Sequence, residues 1–600
     1  MHILTKAFYQ HASEPFDIPA HPCHSLKPSV KPFLCIILTI LALSSCRKEE
    51  SKPPSSQDTY FQNPPETIAE LAQPDLAKEP TDFLRSAQNS PINWQPWTKE
   101  VFNFAERSQR LVFLFVGSNS YSNSSQVISI LENKFAEKLN NDYVPVLADT
   151  EADPALAIAC HLLALERNES ITFPFLLWLS HEGNPVAWLP ISVNEEDSLL
   201  SGFNRALLTV ETIVDKSIEY VINNSRYDNE RRVNLINSSK IPDLDPLRRS
   251  SLAQHLRLLN GYYDPVTGLF DRTGGLPPAN LITTLTRTAQ HPAISNSQRQ
   301  EALSSCRNAL ETLSKTAIFD PLQNRFFQRR LSRSFSIPDT TTHTLTQSGL
   351  LNAFSSIDLQ PAAQFAHDSL LSLARNPIPA STSINNPTVS KDCFFWTKNQ
   401  LKELLSPEEF KLASFLFKLH ELGNIPSSDD PTRLYFRKNS LGFRQSIADY
   451  ASANNQPLTS TQTLFESLRT KLADNRAERL AASGSLQTEN TLSLSNQAQL
   501  LTSLCRNYGK SPNAEILALA DALAAQLRTK FRDSNGRLLH FPREAGLRQV
   551  PAFASDYATL LEALLESYRL KWDPALLVES RNLASELLDE FANEQGLLHE

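Results

Sequence analysis

The sequence predicts a multidomain protein, a small α/β domain followed by a long all-α domain, on three observations. The chain has 600 residues, more than one hydrophobic core accommodates. Between Asn93 and Pro190 short apolar runs alternate with helical patterns, the signature of a sheet covered by helices. From about Phe203 onward helical stretches succeed one another with few strand signals, and the whole chain holds only 15 glycines.

In the first domain, Asn93 to Arg107 carries Trp97, Val101, Phe102 and Ala105 at helical spacing and predicts a helix. Leu111–Val116, Tyr143–Ala148 and Phe175–Leu179 predict strands, separated by helical patterns around Val127–Leu139 and Pro154–Leu165. Phe173-Pro174 sets a proline just before the third strand, a position for a cis peptide. The centre of the domain is Arg110 to Val127, RLVFLFVGSNSYSNSSQV, in which a buried strand runs through Gly117 and a Ser/Asn-rich turn into a helix. Free backbone N–H groups and the helix dipole favour a thiolate or an anion there. No cysteine occupies the turn.

The helical domain repeats one punctuation mark: an aromatic residue, an Asp or Asn, a short turn, then an apolar residue. It occurs at Tyr263 to Phe270, Phe319 to Phe326, Phe531 to Leu538 and Phe591 to Leu598. Such a turn recurring at about the length of one helical hairpin predicts a helical repeat array.

Before the folded part, Lys27 and Lys31 precede the apolar segment Phe33 to Leu43, too short to span a bilayer and suited to a signal-peptide core. Leu43-Ser44-Ser45-Cys46 resembles a lipobox, which makes Cys46 the expected lipidation site and the membrane the expected partner. The expected layout is leader 1–45, flexible Pro/Ser/Glu-rich tether 46–88, α/β domain 89–200 and helical domain 201–600. The net charge of −8, with no cationic cluster interleaved with aromatics, argues against nucleic acid. Arg325, Arg329, Arg330 and Arg333 read as a solvated loop face. Beyond the leader, Cys160, Cys306, Cys393 and Cys505 are scattered without any C-x-x-C, so they read as buried residues, and neither a metal nor a cofactor is expected.

The α/β residues resemble the thioredoxin-like domain of the spermatogenesis-associated protein 20 family: Asn93 to Trp97 matches its N-x-x-x-W entry, Val112 to Gly117 its first core strand, Asp149 its acidic residue after the next strand, and Phe173-Pro174 its strand-entry proline. The family's C-H-W-C-H motif is replaced by Tyr121-Ser122-Asn123-Ser124-Ser125, so Tyr121 and Ser124 stand where the two thiols would be. Dithiol exchange needs a thiolate and a resolving thiol, and hydroxyls supply neither.

The resemblance continues through Asp264 and Gly268 to Phe270, Cys393 to Thr397, Gly423-Asn424, Leu472 to Arg479 and Phe553 to Ala558. It implies a thioredoxin-like domain followed by an all-α (α/α)6-type toroid of the six-hairpin glycosidase kind, complete or short of its last hairpin. The family's P-H-F-E-K-M-L-Y-D-N becomes Pro338 to Leu345, which keeps His343 but loses the Glu and Lys; its D-D-K becomes Thr488-Glu489-Asn490. Asp264, Glu489, Asp556 and His343 remain as candidate acid/base groups, with turn and helix-cap roles as their alternative. The expectation is therefore an extracytoplasmic, lipid-anchored protein with degenerate active positions that binds a carbohydrate or protein ligand. The alternative is a sugar-active enzyme, an epimerase or glycoside hydrolase, using toroid carboxylates.

Overall fold

The structure is a computed structural model that describes residues 75–592 except 122, 168–172, 192–195, 239–248, 271–274, 333–334, 360, 374–379, 385–386 and 485. Cys46, the leader and the last turn signature beyond Ala592 lie outside the described residues, as does Arg333.

A short helix α1 (Asp82–Ser86) precedes the sheet. Then follow β1 (Gln95–Pro96), α2 (Lys99–Ser108), β2 (Leu111–Gly117), α3 (Ser124–Asp142), β3 (Tyr143–Asp149), α4 (Pro154–Glu166), β4 (Phe175–Leu179) and β5 (Pro185–Pro190). The sheet order is β1-β3-β2-β4-β5, with β3 parallel to β1 and β2, and β4 antiparallel to β2 and β5, the thioredoxin arrangement. Strand β2 is buried throughout because its alternating side chains enter two cores. Phe113 and Phe115 join Trp94, Trp178 and Phe203, whereas Val112, Leu114 and Val116 join Val146, Cys160 and Leu177.

Two expected boundaries are corrected. Leu76, Phe83, Leu84 and Ala87 belong to the Phe113 core, so residues 75–88 are folded and not tether. Helices α5 (Glu196–Lys216) and α6 (Ile218–Ser238) cover the same face through Phe203, Leu207, Val210, Val214 and Val221, which extends the α/β domain past residue 200. The helix expected from Asn93 begins only at Lys99, because Gln95-Pro96 pairs with Val146-Leu147 as an edge strand.

The helical domain comprises α7 (Arg249–Asn260), α8 (Ala279–Ala289), α9 (Asn296–Ser314), β6 (Thr342–His343), α10 (Thr344–Ser355), α11 (Pro361–Leu373), β7 (Ser381–Ile384), α12 (Pro387–Phe394), α13 (Lys398–Leu404), α14 (Pro407–Phe417), α15 (Ile447–Ala453), α16 (Leu458–Ser483), β8 (Leu486–Glu489), α17 (Leu494–Lys510), α18 (Ala514–Lys530), α19 (Ala554–Lys571) and α20 (Pro574–Phe591). Helices α8, α10, α17 and α19 pack successively as inner helices, backed by α9, α11, α18 and α20. The inner helices run in one direction. Gly349 of α10 lies against Ala279 while Thr286 bonds Ser356 farther along. Ser503 of α17 bonds the Ser348 carbonyl and Arg506 bonds Asn352. Ser495 meets Asp556 near the starts of α17 and α19, and Arg506 meets Glu566 toward their ends. Parallel inner helices backed by outer ones are the (α/α) toroid arrangement.

The repeated punctuation mark is a two-residue-paired hairpin at 263–270 and 319–326, and an isolated bridge between Arg532 and Leu538. In the first, Gly268 has φ +72, and a Cβ there would meet Thr312 Oγ1 at 2.7 Å, so the turn requires glycine twice over. The expected solvated arginine face is not one: Arg329 pairs with Asp339 at 3.0 Å, Arg330 covers the Phe335 ring, and burial pushes the Arg325 guanidinium down from its ordinary pKa.

Candidate functional site

The β2–β3 register sets Gly117 opposite Asp149, so the loops that follow the two strands lie side by side at one sheet edge. The first loop folds on itself: Ser124 N–H donates to the Tyr121 carbonyl at 3.0 Å, and Ser118 N–H to Ser124 Oγ at 3.4 Å. The approach is close, since a Cβ on Gly117 would meet Ser124 Oγ at 2.9 Å. The Tyr121 ring stacks on Phe173 at 4.8 Å, beside the cis Phe173–Pro174 bond. Tyr121 thus stands beside the cis Phe173–Pro174 bond, and Ser124 opens α3. Ser124 ties the loop rather than capping the helix.

The N-terminal ends of α10, α17 and α19 face these loops. His343, the N-cap of α10, places Nε2 3.0 Å from Glu151 Oε1, and Ser120 Oγ donates to the same oxygen at 3.0 Å. His540 Nδ1 lies 2.6 Å from Asp556 Oδ2, and its Nε2 lies 2.7 Å from the Glu151 carbonyl. Asp556, in the first turn of α19, also accepts from Phe553 N–H and Ser495 N–H. Glu489, at the end of β8, accepts from Asp82 N–H and Phe83 N–H at 3.1 Å each, and so caps α1 of the other domain. The fold therefore brings His343, Glu489 and Asp556 to the turn holding Tyr121 and Ser124. It leaves Asp264 elsewhere, half-buried in the 263–270 hairpin, where it accepts from Val266 N–H at 2.9 Å.

The cluster is nearly dry: His540 is 2% exposed, Glu489 1% and Asp556 0%. Burial would lower the His540 pKa, but the Asp556 carboxylate and the Glu151 carbonyl outweigh it and raise the value, as two facing acceptors demand of an imidazolium. Burial, reinforced by Glu151 and Glu489, holds Asp149 well above the carboxylate range, and its Oδ2 finds no partner in the protein. Burial also raises Glu489, despite its backbone donors. Glu151 is lowered: burial opposes ionisation, and His343 overcomes it. Burial and Glu151 push the Tyr121 phenol up. Such a set of groups can store protons and bind two domains together; apart from Asp149 Oδ2, the polar atoms named here are engaged with one another or with nearby backbone.

A second concavity lies at the opposite ends of the inner helices, a cleft of about 1060 Å³ lined by Arg287, Arg506, Lys510, Glu562, Glu566 and Arg569 among others. Arg287 bridges α8 to Glu562 of α19 at 3.1 Å. Among the described residues no group of three or more His, Cys, Asp or Glu could hold a metal ion. The four described cysteines are buried, and burial raises their thiols, Cys306 to about 12 and Cys505 to about 11.

Residues 73–231 match a family of thioredoxin-like, DsbH-type proteins described as "protein of unknown function, DUF255". Human spermatogenesis-associated protein 20 is 22% identical over 438 residues, 67% of this chain and 55% of its own. The chain is similar to spermatogenesis-associated protein 20 over most of its length. The mouse protein of that name is 20% identical over 86% of this chain and 68% of its own, and an uncharacterized Caenorhabditis elegans protein 22% identical over 82% and 71%. Solved structures matched include a D-mannose isomerase (12% identity, TM-score 0.24, 60% of this chain and 91% of that one) and the cellobiose 2-epimerase of Spirochaeta thermophila (14%, 0.18, 54% and 98%).

Sequence reasoning missed His540 and Glu151. His540 sits in no motif, and Glu151, two residues after Asp149, carries no signal of its own; only the domain packing makes them the hub. Strand β2, the turn, α3 and the cis Phe173–Pro174 bond stand around Tyr121 and Ser124, and residues of the helical domain face the turn.

Proposed function

We propose that this chain is a non-redox binding protein, held through a lipidated Cys46 at the extracytoplasmic face of a bacterial membrane, with a carbohydrate or protein ligand. One observation carries the reading: the turn before α3 holds Tyr121 and Ser124 and no cysteine, and it is packed beneath the helical domain through Ser120, Glu151 and His343. Dithiol exchange has no nucleophile there. The acid and histidine groups that could support catalysis spend their hydrogen-bonding capacity on one another and on the α/β domain, which favours a structural use of the cluster. The cleft at the other end of the ring offers solvent-facing Arg and Glu side chains over a concave surface, suited to ligand hydroxyls or the polar surface of a protein.

The convergence of two histidines with carboxylates also favours a second reading, a sugar-active enzyme that works when the domains part. Thermal shift against mono- and oligosaccharides, cell-wall fragments and peptides separates the two. The binding reading expects stabilisation that Arg506→Ala removes and Asp556→Asn leaves in place. Isomerisation or hydrolysis of a sugar that Asp556→Asn abolishes would establish the enzyme instead. Mass spectrometry of the mature N-terminus tests the anchor, since an unmodified Cys46 removes the membrane claim.

A further inference from the structure

A separate cavity of about 430 Å³ lies where the ends of α10 and α17 meet the outer helices α11 and α18. Its walls are mixed: Phe354, Leu359, Leu371, Leu504, Ile516 and Leu519 form an apolar part, and the remaining lining is polar, with Gln364, His367, Asp368, Asn507 and Lys510 among it, so that one site offers both apolar surface and charged or hydrogen-bonding groups.

The polar side is built as a chain. Asp368 Oδ1 lies 3.1 Å from His367 Nδ1, so that nitrogen carries the proton. His367 Nε2 is then the acceptor, and Asn507 Nδ2 donates to it at 2.6 Å and to Ser355 Oγ at 3.3 Å. This fixes the Asn507 amide, whose oxygen is left without a partner in the protein although the residue is only 2% exposed. A buried amide oxygen held without a donor marks a place where a donor from outside belongs. Lys510 lines the same cavity, with its ammonium on the Ile357 carbonyl and 3.6 Å from Asp358.

We propose that this cavity binds an apolar α-amino acid, with its nitrogen toward Asn507 Oδ1 and the Asp368 carboxylate, its carboxylate toward Lys510, and its side chain among Leu371, Leu504, Ile516 and Leu519. The same chemistry is offered by the C-terminal residue of a peptide, whose amide N–H replaces the ammonium. The site is distinct from the charged cleft, with which it shares Lys510 and Ser355 of its lining, and it does not depend on what that cleft binds.

Calorimetry on the full chain with L-leucine, N-acetyl-L-leucine and L-leucinamide tests it. Leucine is expected to bind, leucinamide about tenfold or more weaker for want of the carboxylate, and Lys510→Met to weaken leucine by a similar factor with an unchanged melting temperature. Asn507→Leu removes the acceptor at similar volume and is expected to abolish binding; retained helical circular dichroism shows that it folds. N-acetyl-leucine binding as well as leucine assigns the site to peptide C-termini, whereas its failure assigns it to free amino acids; both support the proposal. No heat with either leucine or N-acetyl-leucine at about 10 mM, or leucinamide equal to leucine, overturns it and leaves the cavity to water.

Discussion

At the scale of single residues, the same turn chemistry has opposite fates. Asp264 and Asp320 occupy equivalent places in two hairpins. The first is half-buried and accepts from Val266 N–H in its own turn, whereas the second is buried and meets Arg476 Nη1 at 2.5 Å. The Arg476 guanidinium also lies over Phe394 and Trp396, at 4.5 and 5.2 Å from the ring centres. Removing one member of such a pair strands a buried charge, which costs about 3–5 kcal/mol, while replacing both with apolar groups is often neutral. Asp320→Ala is therefore expected to lower unfolding free energy by about that amount in urea titration, and Asp320→Leu with Arg476→Met to recover most of it. Equal losses in the single and double variants would show that the pair is not what matters. The sequence displayed the segments around Trp396 and Arg476 as two weak resemblances. Their contact with each other and with Asp320, 156 residues before Arg476, was invisible, because nothing local to any of the three encodes the packing.

At the scale of elements, what was legible followed from periodicity. Strands β2, β3 and β4 were readable because each is an unbroken apolar run feeding two cores, and the hairpins were readable from turn residues. The sequence does not separate α5 and α6 from the helical domain, because an amphipathic helix covering a sheet has the same 3.6-residue pattern as one in a helical array. Segment 75–88 escaped notice because Leu76, Phe83 and Leu84 sit among prolines and charges with no period at all. The start of α3 offers a test of how far the environment, as distinct from the missing thiols, has left redox chemistry. A helix N-terminus lowers a thiol pKa, but Asp149 and Glu151 act on Tyr121 in the opposite sense, together with burial. In a Tyr121→Cys, Ser124→Cys variant, the thiol at 121 is expected to titrate above about 8.5, measured by the pH dependence of its alkylation rate. A midpoint below about 7 would mean that the frame still activates a nucleophile, and that only the two side chains were lost.

At the scale of the whole molecule, the α/β domain acts as a plug in the N-terminal end of the helical ring, and the plug is held by protons. The facing groups are Asp82, Asp149, Glu151 and Tyr121 from the α/β domain, and His343, His540, Glu489 and Asp556 from the helical domain. Outside the cluster, Arg548 adds a paired contact to Glu79. Because the His540 pKa is raised, the folded state holds a proton that the unfolded chain releases above about 6.5; that contribution is full below this value and is lost as pH climbs through the folded-state pKa. The raised Asp149 and Glu489 act in the same direction: their contributions are full only below the ordinary carboxylate pKa and fade as pH rises through the folded values. Glu151 is lowered, and so is Asp82, where burial is outweighed by hydrogen bonds from Asn490 and Arg85; both contribute stability above about 4 that disappears as pH falls through their folded values. The expected thermal midpoint is thus highest in mildly acidic solution and falls from about pH 6.5 toward pH 9. Substituting His540→Gln is expected to lower the acid-side midpoint and flatten the alkaline fall, since a neutral amide cannot supply the charge that Asp556 takes up. A wild-type midpoint that is level or rising from pH 6.5 to 9, or an unaltered slope in the variant, would mean that His540 is neutral in the folded protein and that the domains are joined by packing alone.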